Sequence, residues 1–305
     1  MESAVTGRRT VRARKDRRSS FGASALAMAA LLISLGMRPY LPAWGEMWLV
    51  AAALFVSFKV LTWARRSDRF ANVSARRTAG YFLGWPGMDP DELCGRRAAA
   101  APNAREWALA LAKTGLGAAI LWIIVPKLPA ERPALIGAVG FAGLILLLHF
   151  GIFELLALAW RRAGFGVRPI MQGPFRATSL AEFWGRRWNK AYRDLSLELC
   201  FRPAARQFGA PAGTLLAFLI SGVLHELVIS FPAGAGFGRP TIYFLIQGVG
   251  VLIERTAFVC KVVGRWSFLG RLFTFACVVG PLGWVFHRAF LTVVIFPFLA
   301  AIGAR

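Results

Sequence analysis

The sequence predicts an all-α, polytopic transmembrane helical bundle of about eight spans, with an amphipathic helix lying along the cytoplasmic membrane surface. Three observations carry this expectation. The chain of 305 residues is 57% hydrophobic, and several apolar runs reach or approach the ~20 residues that a helix needs to cross a bilayer. Its formal net charge is +22, from 37 basic and 15 acidic residues. That excess gathers in alternate connecting segments, as expected of a multi-pass protein whose Lys- and Arg-rich loops face the cytoplasm. In a soluble chain the same charge would point to nucleic acid; here the loops account for it, and no nucleic-acid partner is expected.

Residues 1–20 are Arg-rich and read as a basic cytoplasmic tail, and residues 21–305 as a single membrane-embedded domain. The first span, 21–37, is long for the apolar part of a signal peptide. It ends in Arg38-Pro39 without a small-x-small cleavage site, so a retained helix is expected. Further spans fall at about 47–63, 107–125, 134–160, 211–231, 241–260, 268–286 and 289–303. The first and last are short enough to be partly re-entrant. With the N-terminus inside, the inner segments hold the basic residues of 8–18, 65–105, 161–206 and 261–271, and Arg305. The outer loops keep only Arg38, Lys127, Arg132, Arg239 and Arg288. The membrane is a bacterial inner membrane or an endoplasmic reticulum; nothing in the sequence separates the two, or sets an oligomeric state.

Two inner loops are long. The first, about 64–106, is punctuated by Gly84-Trp85-Pro86-Gly87-Met88-Asp89-Pro90. Its Asp89, Asp91 and Glu92 read as a solvated turn rather than a cation site. In the second, about 161–210, Ser179 and Glu182 have capping-box spacing. Leu180, Phe183, Trp184, Trp188, Tyr192, Leu195 and Leu199 then recur every three to four residues, among Arg186, Arg187, Lys190, Arg193 and Asp194. That pattern describes a helix lying in the interface, with Pro203 and Pro211 marking the route back into the bilayer. Cys94, Cys200, Cys260 and Cys277 form no CxxC pair and no zinc spacing, so neither a metal nor a disulfide framework is expected.

The three histidines differ in context. His287 beside Arg288 reads as solvated in an outer turn, and His149 as a residue hydrogen-bonding between helices. His225 lies deep in an apolar run, and an ionisable residue there is a functional-site hypothesis by default. In apolar surroundings the neutral imidazole is favoured, and a neutral ring can act as a general base. Ser221, at i−4, shares its helix face, whereas Glu226 points roughly 100° away. On the residues alone, a base and a structural polar residue remain equal readings. A transporter or channel is the rival from another class, although no repeated half is found; a non-catalytic scaffold is a third.

Two segments together resemble a known signature. Phe183-Trp184-Gly185-Arg186-Arg187-Trp188-Asn189 is followed by Ser221-Gly222-Val223-Leu224-His225-Glu226. In this order they resemble wax-synthase-like members of the membrane-bound O-acyltransferase superfamily. The resemblance covers about 165–260 and includes Gln247-Gly248 and Glu254. It implies acyl transfer from acyl-CoA to the hydroxyl of a lipophilic alcohol, with His225 as catalytic base and Asn189 as the second catalytic or structural polar residue. With it, Trp184, Arg186, Arg187, Trp188, Lys190, Ser221 and Glu254 are expected in substrate or acyl-CoA contact. Arg186, Arg187 and Lys190 are expected at the CoA phosphates, with interfacial anchoring an equal reading for these basic residues. It requires no cofactor beyond acyl-CoA as co-substrate.

Overall fold

A computed structural model of the chain describes residues 28–29, 31–70, 72–95, 98–256 and 267–305. The basic tail, much of the first expected span, Cys260 and the end of the 241–260 span lie outside the described residues. Those described are helical with no strand. Five of their helices are long and apolar enough to cross a membrane.

Helix α1 (Ala43–Ala64) crosses to the first long loop, which carries α2 (Ala75–Leu83) and the short α3 (Asp91–Cys94). Helix α4 (Ala104–Lys127) begins with a capping box in which the Asn103 side chain accepts from Glu106 N and the Glu106 carboxylate accepts from Asn103 N. Helix α5 (Pro133–Arg162) returns, passing through a π-wound stretch at Leu146–Ile152. After the second loop come α6 (Leu180–Glu182, extended by a π turn at Phe183–Arg187), α7 (Lys190–Ala233) and α8 (Arg239–Glu254). Helices α9 (Phe268–Val285) and α10 (Phe290–Ala301) complete the bundle.

Two apolar clusters organise the molecule. The larger, within the bundle, packs Met47, Leu121, Ile136, Tyr243, Phe244, Phe290 and Leu299. The smaller holds the two long loops together through Tyr81, Trp85, Leu93, Val167, Ile170 and Ala191. Arg66 joins the same loops by charge, pairing with Asp89 at 2.5 Å, Asp91 at 3.1 Å and Glu198 at 2.8 Å. Both loops therefore gather on one face of the bundle, the signature face.

Four expectations are corrected here. The amphipathic run is two helices rather than one, because Trp188 is extended and Asn189 left-handed (φ 40°, ψ 65°). The acidic turn is not solvated: Asp89 and Asp91 pair with Arg66, and Glu92 is buried. His287 is not solvated either, being only 2% exposed. The last expected span does not cross. Helix α10 is six π-wound and six α-wound residues, roughly 18 Å, against a hydrocarbon core of about 30 Å. It starts beside His287, and the Arg305 guanidinium just beyond it donates to the carbonyls of Val125, Pro126 and Leu128, in the turn between α4 and α5. Both ends thus lie opposite the signature face, where Arg305 was not expected.

Candidate active site around His225 and Asn189

Helix α7 is interrupted at Gly209, whose φ of 86° and ψ of 163° are not helical, just before Pro211. The apolar part from there to His225 rises roughly 22 Å, against a hydrocarbon core of about 30 Å. The chain is π-wound from Glu226 to Ser230, a deviation found often at functional sites.

Each residue of the Ser-Gly-x-x-His-Glu segment has a separate contact. The Ser221 carbonyl lies 2.7 Å from His225 Nδ1. A carbonyl only accepts, so Nδ1 carries the proton and a neutral ring keeps its lone pair on Nε2. The Ser221 side chain lies beside that of Tyr192. Gly222 allows α8 to approach: a Cβ there would stand 2.6 Å from Thr241 Cα. The Glu226 carboxylate accepts from Thr241 N at 3.0 Å and Thr241 Oγ1 at 2.9 Å, satisfying a donor in the first turn of α8. The His225 ring, half-buried, packs on Phe244 with centroids 4.3 Å apart.

Asn189 is the only non-glycine residue with positive φ among the described residues. That conformation costs an ordinary residue roughly 1–2 kcal/mol, and Asn less. It is held by the chain crossing over it. Lys190 N donates to Ile170 O at 2.9 Å, Gln172 N donates to Arg187 O at 2.8 Å, and Asn189 N lies 3.3 Å from Met171 Sδ. The Asn189 side chain accepts from Tyr192 N at 3.2 Å. Because that donor is a backbone N–H, the atom facing it is the amide oxygen, and the Asn189 NH2 is directed elsewhere. Asn189 and His225 are therefore joined by a continuous line of contacts through Tyr192 and Ser221.

The remaining signature residues serve mostly as framework. Trp184 donates to Gln247 at 3.2 Å, and Gln247 in turn donates to Cys277 O at 2.7 Å, fixing the indole against α8 and α9. Trp184 also touches Phe218 and Phe244, and Trp188 stacks on Phe183. Arg187 binds Glu182 at 2.6 Å and the carbonyls of Gln172 and Gly173. Burial opposes the Glu182 charge, yet hydrogen bonds from Thr178 and Arg187 hold its carboxyl below the ordinary value. Lys190 is buried and paired with Asp194 and Glu92. The Glu254 carboxylate caps α6, accepting from Leu180 N at 2.6 Å and Ala181 N at 3.2 Å. Of the three expected phosphate-binding cations, Arg186 alone is exposed.

Several contacts were not anticipated from sequence: Tyr192 on Ser221, Phe244 under His225, Gln247 bridging Trp184 to α9, and Glu92 against Lys190. The polar Gln247 in an apolar helix was the readable signal among them. His149 Nδ1 is buried without a hydrogen-bond partner, so that nitrogen does not make the interhelical bond expected of the residue. Among the described residues no cluster of His, Cys, Asp and Glu is arranged to hold a metal ion.

Comparison with known proteins converges on the same region. Residues 167–246 match the family described as the membrane bound O-acyl transferase family. A probable long-chain-alcohol O-fatty-acyltransferase 3 from Arabidopsis thaliana is 30% identical over 167 residues, covering 50% of this chain and 49% of the relative. The long-chain-alcohol O-fatty-acyltransferase of Simmondsia chinensis is 32% identical over 139 residues, 40% of this chain and 38% of its own. An acyl-CoA–sterol O-acyltransferase 1 from Arabidopsis thaliana is 30% identical over 138 residues, covering 41% and 39%. The chain thus spans about half the length, or less, of the curated relatives it matches. The region that holds His225 and Asn189 is the part of the chain that is similar to the membrane bound O-acyl transferase family and to relatives named as long-chain-alcohol and sterol acyltransferases.

Proposed function

We propose that this protein transfers an acyl group from acyl-CoA to the hydroxyl of a lipophilic alcohol, a long-chain alcohol or a sterol, within the membrane. The observation that carries this reading is the 2.7 Å contact between His225 Nδ1 and the Ser221 carbonyl, which leaves the lone pair of a neutral ring on Nε2. Nε2 takes the proton from the alcohol as its oxygen attacks the thioester carbonyl. The Asn189 NH2 donates to the oxyanion that forms, the C–S bond breaks, and the leaving CoA thiolate receives the proton from the imidazolium. A thioester is already activated, so no nucleophilic Ser or Cys is needed. General-base catalysis of this kind contributes typically ~10²–10⁴-fold.

Acyl-CoA approaches from the signature face, where the exposed Arg186 meets its phosphates. Arg187, Lys190 and Glu254 hold the framework, and Trp184 and Trp188 wall the acyl path. The signature face is cytoplasmic in this reading, supported by Arg65, Arg66, Arg69, Arg76, Arg77, Arg161, Arg162, Arg168 and Arg176 in or beside its loops. The names of the relatives support the alcohol class, and the coverage leaves the particular alcohol and acyl chain length to experiment.

The test is incubation of the membrane-embedded protein with labelled acyl-CoA and a panel of long-chain alcohols and sterols. Labelled ester should appear and should require His225. An intact thioester with every alcohol, together with movement of label across the bilayer, would favour a transporter instead.

A further inference from the structure

We infer that Glu92, in the first long loop and outside the family match, is a positioning residue that holds Asn189 in its working conformation. The inference rests on the acyl-transfer reading above. Glu92 opens no chemistry of its own. It is buried on the short helix α3, where its Oε2 accepts from Trp85 Nε1 at 2.9 Å. Its Oε1 makes no hydrogen bond but faces two cations, Lys190 Nζ at 3.5 Å and Arg168 Nε at 3.6 Å.

Those cations come from the two strands of chain that pin Asn189. Lys190 follows Asn189 directly, and its backbone N–H donates to Ile170 O. Arg168 lies two residues before Ile170 on the crossing segment, whose Met171 sulfur meets Asn189 N. One carboxylate thus attracts both sides of the crossing. A left-handed non-glycine residue persists only where its surroundings over-determine it. The chain contacts at Asn189 supply the shape, and Glu92 supplies the attraction that keeps the two strands together. Asp194 neutralises Lys190 as well, but it lies on the same helix as Lys190 and cannot hold that helix to the crossing segment. Burial pushes the Glu92 carboxyl above its ordinary range against the pull of Lys190. Lys190, the Trp85 hydrogen bond and Arg168 oppose that push, so the carboxylate depends on these partners for its charge.

The experiment compares the full-length protein with Glu92→Gln, Glu92→Asp and the double variant Glu92→Gln with Lys190→Met. Gln keeps the shape and the Trp85 bond but loses the charge. Its kcat should fall about tenfold with the KM for acyl-CoA within about twofold, because Asn189 acts on the transition state. Asp, which keeps the charge, should recover part of that loss. The double variant leaves no bare buried cation, so its thermal stability should approach that of the unaltered protein while kcat stays low. Unchanged kcat in Glu92→Gln, or a double variant that regains kcat along with stability, would overturn the inference and reduce the pair to a structural contact. Should Glu92→Gln fail to accumulate, the double variant carries the same test. If the unaltered protein forms ester and only these variants behave otherwise, this inference alone fails. If the unaltered protein forms none, the acyl-transfer reading falls first and takes this one with it.

Discussion

Two histidines lie in or beside the second half of α7, His225 on the helix and His287 against its Ser230, and the backbone treats them in opposite ways. His225 Nδ1 points at the Ser221 carbonyl, so it holds the proton and Nε2 is bare. His287 Nδ1 instead accepts from Phe290 N at 3.2 Å, so the proton of the neutral ring resides on Nε2, which lies 3.5 Å from Ser230 Oγ. One ring presents a lone pair; the other uses its lone pair to cap a helix and has none left to offer. His287 is buried and His225 half-buried, and only His225 has its Nδ1 against a backbone acceptor. Burial alone does not make a histidine catalytic; the atom opposite Nδ1 decides which nitrogen is available.

The largest expected separation between the two comes from removing each ring. His225→Ala should lower ester formation by about 10²–10⁴-fold, with the protein still inserted and accumulating normally. Equal turnover in that variant would end the distinction. Asn189→Asp should come next. Asp preserves the cap on Tyr192 N but cannot donate to an oxyanion, and loss of one such donor costs about 10²–10³-fold in kcat. A variant with full kcat would show that Asn189 serves only to cap α7.

Smaller effects fall on stability. Gly222→Ala places a methyl 2.6 Å from Thr241 Cα, and such overpacking costs about 1–3 kcal/mol. Thermal unfolding in detergent should register it, with turnover falling as His225 and Glu226 shift. His287→Phe strands the Phe290 N–H, a loss of about 1–3 kcal/mol, with turnover per folded molecule unchanged. The smallest effect is a pH dependence. Burial first, and then the charge of Arg239, push His287 below the usual value of 6.5, against a weaker opposing pull from Glu226. Ser230, the Gly236 loop and Phe290 N complete its surroundings and carry no charge. The unfolded chain then binds the proton first as pH falls. The His287 contribution is complete above 6.5 and is lost as pH drops below it. Melting temperatures should decline over that range in the unaltered protein and less steeply in His287→Phe.

The histidine contrast also marks where sequence stopped being informative. The long helices were legible because unbroken apolar runs have few other fates, and the runs at 47–63, 107–125 and 134–160 lie within α1, α4 and α5. The two signature segments were legible as a pair of motifs. The break at Asn189 was not, because the apolar repeat passes straight through it. The left-handed turn is set by residues 170–172, which meet it only in three dimensions. Lys190 read as a surface cation because its partner Glu92 lies far away in sequence. His287 read as solvated because its neighbour is Arg288, whereas the loop at Gly236 covers it. Arg305 completed a tidy charge pattern, yet α10 is too short to carry it across.

The protonation states of the rings can be read directly. With three histidines in the chain, nitrogen-15 labelling of their side chains and single replacements assign every ring signal. At the pH of turnover, His225 should show a protonated Nδ1 and a bare Nε2, and His287 the reverse. A proton on His225 Nε2 under those conditions would remove the base and contradict the mechanism.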